Sequence, residues 1–195
     1  MKKIIFITIG IFVFFACGEK FEVIEDFGKE KYKLINQNGA EVIFPDLTKG
    51  KTAIVGYIFT NCPDICPLTT NNMRLIQERL KKEKVEGVNF VSISFDPEND
   101  KPDVLKKFAE IRNLDLSNWT FLTGQKLVID SVIKKAGVVA VPGDSTIYPD
   151  GRKIYYFVHT DRIQLVDDEG RVRKNYPGSK INVDEIVGDI KSLVD

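Results

Sequence analysis

The sequence predicts an α/β layer fold, and three observations predict it. Runs rich in β-branched and aromatic residues alternate along the chain with segments of helical period. The run TAIVGYIFT, residues 52–60, is nearly continuous in such residues, as a strand buried on both faces requires. A hydrophobic content of 43% over 195 residues is enough for the core of one compact domain.

Taken in order, KYKLINQNGAEVIF carries two short alternating runs around Asn38-Gly39, a dipeptide that favours a tight turn, so a hairpin is expected over about residues 32–44. The central strand at 52–60 runs straight into Cys62. After Pro67, Leu68, Met73, Leu75, Ile76 and Leu80 fall near helical spacing and predict a helix of about 16 residues. VNFVSISF (88–95) is a second buried strand, and the loop DPENDKP ends in Pro102, well placed to start the helix expected from Asp103 to Arg112. WTFLT (119–123) reads as a short strand and KLVIDSVIKKAG as a helix stopped by Gly137. Prolines, glycines and Pro149-Asp150-Gly151 make 138–153 a surface loop. IYYFVHT leads into a second hairpin turning at Asp168-Glu169-Gly170, and NVDEIVGDIKSLV closes the chain as an amphipathic helix.

Upstream of the domain, Lys2 and Lys3 precede an apolar or small run from Ile4 to Ala16 and then Cys17, the layout of an export signal. At about 1.5 Å per residue the run reaches only some 20 Å, short of the roughly 30 Å hydrocarbon core, so a spanning helix is the weaker expectation. Ala16 before and Gly18 after Cys17 resemble a bacterial lipoprotein signal, which makes Cys17 a candidate lipid anchor. The expected organisation is a signal at 1–17, a tether at 18–31 and a folded domain at 32–195, working outside the cytoplasm at a membrane. Lys plus Arg and Asp plus Glu are 28 each, so no polyanionic partner such as nucleic acid is indicated.

With Cys17 taken up by lipid, Cys62 and Cys66 in TNCPDICPLT are the domain's remaining cysteines. Thiols four apart can share an ion, cycle as a redox pair or close a structural disulfide, and spacing alone does not choose. Their place helps, because a strand–helix junction puts them at a helix N-terminus, with Pro67 at the first helical position, Cys66 at the cap and lowered thiol pKa values. His159 is the only histidine and lies at a strand end, where sites of α/β folds form. Two thiolates and one imidazole suit monovalent copper and, with an added weak ligand, divalent copper; structural zinc normally takes four protein ligands. Against these stand a plain disulfide and a locally hydrogen-bonded histidine. Asp96 and Asp100 in FDPEND are most simply turn and cap residues.

The segments GYIFTNCPDICPLTT, SISFDPENDKPDVLKKFAE and FVHTDRIQLVDDEGRVRKNYPG resemble the Sco/SenC family of thioredoxin-fold proteins, and the likeness covers nearly all of the chain after the signal. The resemblance implies a thioredoxin-like fold with an N-terminal hairpin and a hairpin inserted in the C-terminal half. It implies copper, as Cu(I) or Cu(II), held by Cys62, Cys66 and His159 and delivered to the dinuclear copper A centre of a cytochrome c oxidase subunit. Other copper carriers or thiol reductants are further partners it suggests, and reduction of that subunit's cysteines is a second activity. Asp64 matches the motif between the cysteines, and Asp64, Asp96 and Asp100 are candidates for supporting the ligands. Many family members carry an acidic residue just before the histidine; here it is Val158, which leaves the ligand intact. The rival classes are a thiol-disulfide oxidoreductase or peroxidase with Cys62 and Cys66 as catalytic residues, and a purely structural interaction domain. Three residues between the cysteines, where oxidoreductases usually have two, weigh against the first.

Overall fold

The computed structural model describes residues 21–62, 65–151 and 153–194; Cys17 and Asp64 lie outside them. The strands are β1 (Glu25–Asp26), β2 (Tyr32–Asn36), β3 (Glu41–Phe44), β4 (Thr52–Ile58), β5 (Val88–Ser94), β6 (Trp119–Thr123), β7 (Ala140–Ile147), β8 (Lys153–His159), β9 (Ile163–Val166) and β10 (Arg171–Tyr176). The helices are α1 (Ile65–Lys82), α2 (Pro102–Ile111), α3 (Lys126–Lys135) and α4 (Val183–Val194). One mixed sheet has the order β1-β10-β9-β4-β5-β6-β2-β3, and β7 pairs with β8 in a separate ribbon.

Burial explains the centre of the sheet. All seven residues of β4 are buried, with β5 parallel on one side and β9 antiparallel on the other. Gly56 interrupts this apolar run because α1 crosses it closely: a Cβ there would meet Met73 Sδ at 2.5 Å. α1 and α4 both pack on β4 and against each other, and Glu83, in the turn just after α1, pairs with Lys191 of α4. α2 packs on β6 and α3 on β2. Two of the sheet's buried polar side chains are satisfied across strands: Trp119 Nε1 donates to Ser92 Oγ at 3.0 Å and Tyr57 Oη to Gln164 Oε1 at 2.5 Å.

The first hairpin turns where Asn38-Gly39 predicts it. Gly39 takes φ +80°, and Asn36 Oδ1 accepts the backbone N–H groups of Asn38 and Ala40. Pro102 opens α2 as expected.

Three expectations are corrected. The segment 138–153 is not simply a loop, because β7 forms there against β8. Seven of its eight residues are exposed, so it lacks the apolar alternation that marks a strand, and a register shift between Pro142 and Ser145 accommodates its Pro-Gly. The tether is not passive over its whole length. Ile24 N–H donates to Val172 O at 2.8 Å, β1 pairs with β10, and Phe27 is fully buried against Phe44, ring centroids 5.1 Å apart. One buried aromatic ring and the short β1 pairing tie down a stretch that shows no strong hydrophobic period. Finally, α1 starts at Ile65, ahead of the expected cap, so Cys66 and Pro67 belong to its first turn.

Phe27→Ala should therefore destabilise the domain by about 3–5 kcal/mol, as loss of a buried aromatic ring does. Chemical denaturation measures it, and a cost under about 1 kcal/mol would make residues 21–31 a mere leader.

Candidate metal centre

β4 ends at Ile58, and the chain turns through Thr60 and Asn61 to reach Cys62, whose N–H donates to Phe59 O at 3.3 Å. The N–H of Cys66, in the first turn of α1, points at Cys62 Sγ from 3.4 Å. The Cys62 sulfur thus occupies the place of a helix cap, facing a backbone donor at the positive end of the helix. Cys62 is half-buried and Cys66 fully buried, and among the described residues neither is in a disulfide.

The expected lowering of thiol pKa does not hold for Cys66. Its hydrogen bond with Cys62 and then its burial push its pKa far up, outweighing the backbone hydrogen bond that opposes them. Cys66 is therefore a protonated thiol until an ion or a reaction partner displaces its proton.

His159 arrives from the end of β8. Period 2 along that strand puts Tyr155, Phe157 and His159 on one face and Ile154, Tyr156 and Val158 on the other. The second set is exposed, Val158 to 70%, so the residue before the histidine points away from the site. The imidazole sits tilted on Phe95, centroids 5.0 Å apart, and edge-on to Phe59 at 6.2 Å, while Phe157 packs against both phenylalanines. Nδ1 lies 3.2 Å from Thr160 O, which accepts its proton and leaves Nε2 to face Cys66 Sγ at 3.8 Å. The Cys62 sulfur holds the imidazole pKa above its ordinary value, against the opposing effect of burial.

The structure therefore brings Cys62, Cys66 and His159 together, one donor atom from each, all within 4.8 Å of one another. Two ligands at roughly 2.0–2.3 Å from one ion span up to about 4.6 Å, so a slight contraction suffices to close the cluster on a single ion. Two sulfurs and one imidazole nitrogen are soft to borderline donors, the set that copper takes. Asp96 and Asp100 do not join the cluster.

Those two carboxylates work one layer out. Asp100 is fully buried and accepts Thr60 N–H at 3.0 Å, Thr60 Oγ1 at 2.5 Å and Ser94 Oγ at 2.5 Å. Burial raises its pKa and these hydrogen bonds oppose the rise. It ties down the chain two residues before Cys62. Asp96 accepts Tyr155 Oη at 2.5 Å and Asn99 Nδ2 at 3.0 Å, and so reaches the strand that carries His159. Beyond His159, Asp161 accepts the Ser179 N–H and hydroxyl at 3.0 and 2.6 Å and the Thr69 hydroxyl at 3.3 Å, which joins this loop to α1. Tyr155, Thr60 and Asp161 are not singled out by the sequence. The alternation of Tyr155, Phe157 and His159 is the one signal that points to any of them.

Comparison with known proteins agrees with this geometry. The SCO1/SenC family profile matches residues 24–195. A SCO1/SenC family lipoprotein from Bacillus anthracis is 34% identical, with 85% of this chain and 94% of that one superposed at a TM-score of 0.71. BsSco, a member of the Sco family of cytochrome c oxidase assembly proteins in which a disulfide switch is identified, is also 34% identical, covering 90% and 96% at 0.71. ScoI of Bradyrhizobium japonicum with copper bound is 29% identical, covering 84% and 98% at 0.69. The mixed α/β fold is thus the thioredoxin-like one of Sco structures, and among the described residues no helix is long and apolar enough to cross a membrane. The chain belongs to the SCO1/SenC family.

Proposed function

We propose that this protein is an extracytoplasmic, membrane-tethered copper carrier that loads the dinuclear copper A centre of a cytochrome c oxidase subunit. The single observation that carries this is the convergence of two cysteine sulfurs and the Nε2 of the only histidine within one ion's reach. The copper-bound Bradyrhizobium relative and the oxidase-assembly role of BsSco support it. Copper is the cargo, and the residues divide the work of holding it. Cys66 anchors it from inside the domain, Cys62 is the more exposed of the two sulfurs, and His159 closes the third side with its Nε2. Soft sulfur favours Cu(I), while the imidazole keeps Cu(II) within the site's range. A partner ligand approaching past half-buried Cys62 can take over one bond at a time.

A second reading, reduction of the oxidase subunit's cysteines, is favoured by the closeness of the two cysteine sulfurs and by the disulfide switch of BsSco. The thiolate of Cys62, the more exposed of the pair, attacks one sulfur of a partner disulfide and releases the other as a thiolate. Cys66 then attacks the mixed disulfide, giving a Cys62–Cys66 disulfide and a reduced partner dithiol. Two electrons and two protons pass to the partner, and a thiol reductant outside the protein restores the pair.

The anchor in this proposal is a lipid on Cys17. Its sequence context and the lipoprotein from Bacillus anthracis support it.

Three results are expected. Reduced protein should bind one copper per chain, Cys62→Ser or Cys66→Ser should abolish tight binding, and His159→Ala should weaken it by about 100-fold or more, beyond the 10–100-fold of outer-shell changes. Absorption and copper stoichiometry measure this; unchanged affinity in His159→Ala would take the histidine out of the site. Mixed with a soluble copper A domain in its reduced, metal-free form, the loaded protein should hand over copper, read as copper A absorption once the product is oxidised by one electron with ferricyanide, whereas a pure reductase would act only on the oxidised domain. Cys17→Ser should move the protein from the membrane fraction to the soluble one, and retention in the membrane would mean an uncleaved apolar anchor instead.

A further inference from the structure

His159 does not stand on the main sheet. It ends β8, and among the described residues β8 pairs only with β7, in a ribbon apart from the strands that lead to the cysteines. What seats the ribbon is therefore decided by side chains. At its base, Thr160 N–H donates to Val139 O at 2.9 Å and Val139 N–H to Thr160 Oγ1 at 3.0 Å, which closes the ribbon on itself without fixing it to the body. On its inner face, Phe157 packs against Phe59 and Phe95, a contact without strong directional demand. Tyr155 adds a directed contact, its hydroxyl donating to Asp96 Oδ2 at 2.5 Å across 59 positions of chain. Its outer face, with Ile154, Tyr156 and Val158, is exposed.

The acceptor of that bond belongs to the same turn that fixes the cysteines. Asp96 N–H donates to Ser94 Oγ at 3.0 Å, Ser94 Oγ donates to Asp100, and Asp100 N–H returns to Asp96 O at 2.8 Å. Residues 94–100 form one hydrogen-bonded unit with two outputs: Asp100 to Thr60 ahead of Cys62, and Asp96 to Tyr155 on the histidine ribbon.

We propose that Tyr155 is a positioning residue, a latch on Asp96 that keeps β8 seated so that His159 faces the two sulfurs. Opening the latch lets His159 withdraw while Cys62 and Cys66, held through Asp100, stay in place. The site then passes from three donors to two without disturbing the sulfurs, which gives the ion a defined way out. No bond is made or broken in this step beyond the Tyr155 hydrogen bond, and the phenol keeps its proton. The proposal deepens the copper reading and rests on it.

The test uses the full chain in detergent micelles, as wild type, Tyr155→Phe, Asp96→Ala and the double variant. Tyr155→Phe keeps the ring and its packing and removes only the hydroxyl. Two readouts are taken: the rate at which Cu(I) passes to a cuprous chelator, and the imidazole 15N and N–H resonances of His159 in the metal-free protein. The expected result is copper loss at least tenfold faster in each single variant, no further acceleration in the double variant, and loss of the protected Nδ1–H signal of His159. Asp96→Asn, which keeps an acceptor for the phenol, should restore most of the retention. Rates within twofold of wild type with unchanged resonances would show that ring packing alone seats the ribbon and would overturn the latch. Faster loss with unchanged His159 resonances would overturn it too, since the effect would then not pass through the histidine. A wild-type protein that fails to retain copper at all would instead refute the copper reading, while the 15N readout would still judge the latch.

Discussion

A carboxylate taken wholly out of water has to be hydrogen-bonded or it costs several kcal/mol, and Asp100 meets that demand with three protein donors. Because those donors come from the end of β5 and from the turn after β4, satisfying one buried group fixes two strand exits against each other. Cys62 follows two residues later, and α1 then begins with its N-terminal amide directed at the Cys62 sulfur. The spacing of the two sulfurs is thus set by sheet geometry and by a helix start, both stiff elements. The third donor joins this frame through Asp96, in the same turn.

A site built this way is asymmetric in stiffness and in exposure. The sulfurs stand where the fully buried β4 passes into α1, and the imidazole stands on a ribbon whose outer face is in solvent. Burial also separates the two thiols: Cys66 is held in its neutral form by its neighbour and its surroundings, while Cys62 looks outward. An enclosed donor that retains and an open donor that exchanges suit a carrier better than an enzyme that must turn over a small substrate. The same asymmetry orders a dithiol reaction, with the outer sulfur attacking and the inner one resolving.

The exposed aliphatic and tyrosine side chains of the β7–β8 ribbon fit this picture of a site that works against another protein. Val158 belongs to that outer surface and not to the ligand set.

The main strands, the first hairpin and the four helices were legible in the sequence because each has a local cause: continuous β-branched burial in β4, Asn38-Gly39 with its left-handed glycine, Pro102 at a helix start, apolar spacing in α1 and α4. The three donors were legible as well, since cysteine and histidine are rare here and their chemistry narrows their use. What the sequence could not specify depends on partners distant along the chain. β7 is a strand because β8 pairs with it, not because of its own pattern. Phe27 is core because its ring packs on Phe44 and its backbone N–H is held by Gly170 O in the β9–β10 turn. The Cys66 thiol is raised where a helix N-terminus alone predicts lowering, because a neighbouring sulfur and burial outweigh the backbone. The sequence by itself determined which atoms can bind an ion and near which strand ends they lie. Only the tertiary structure decided that they converge, and that Tyr155, Asp96 and Asp100 hold them, because a hydrogen bond across 40 or 59 positions leaves no periodicity or composition to read.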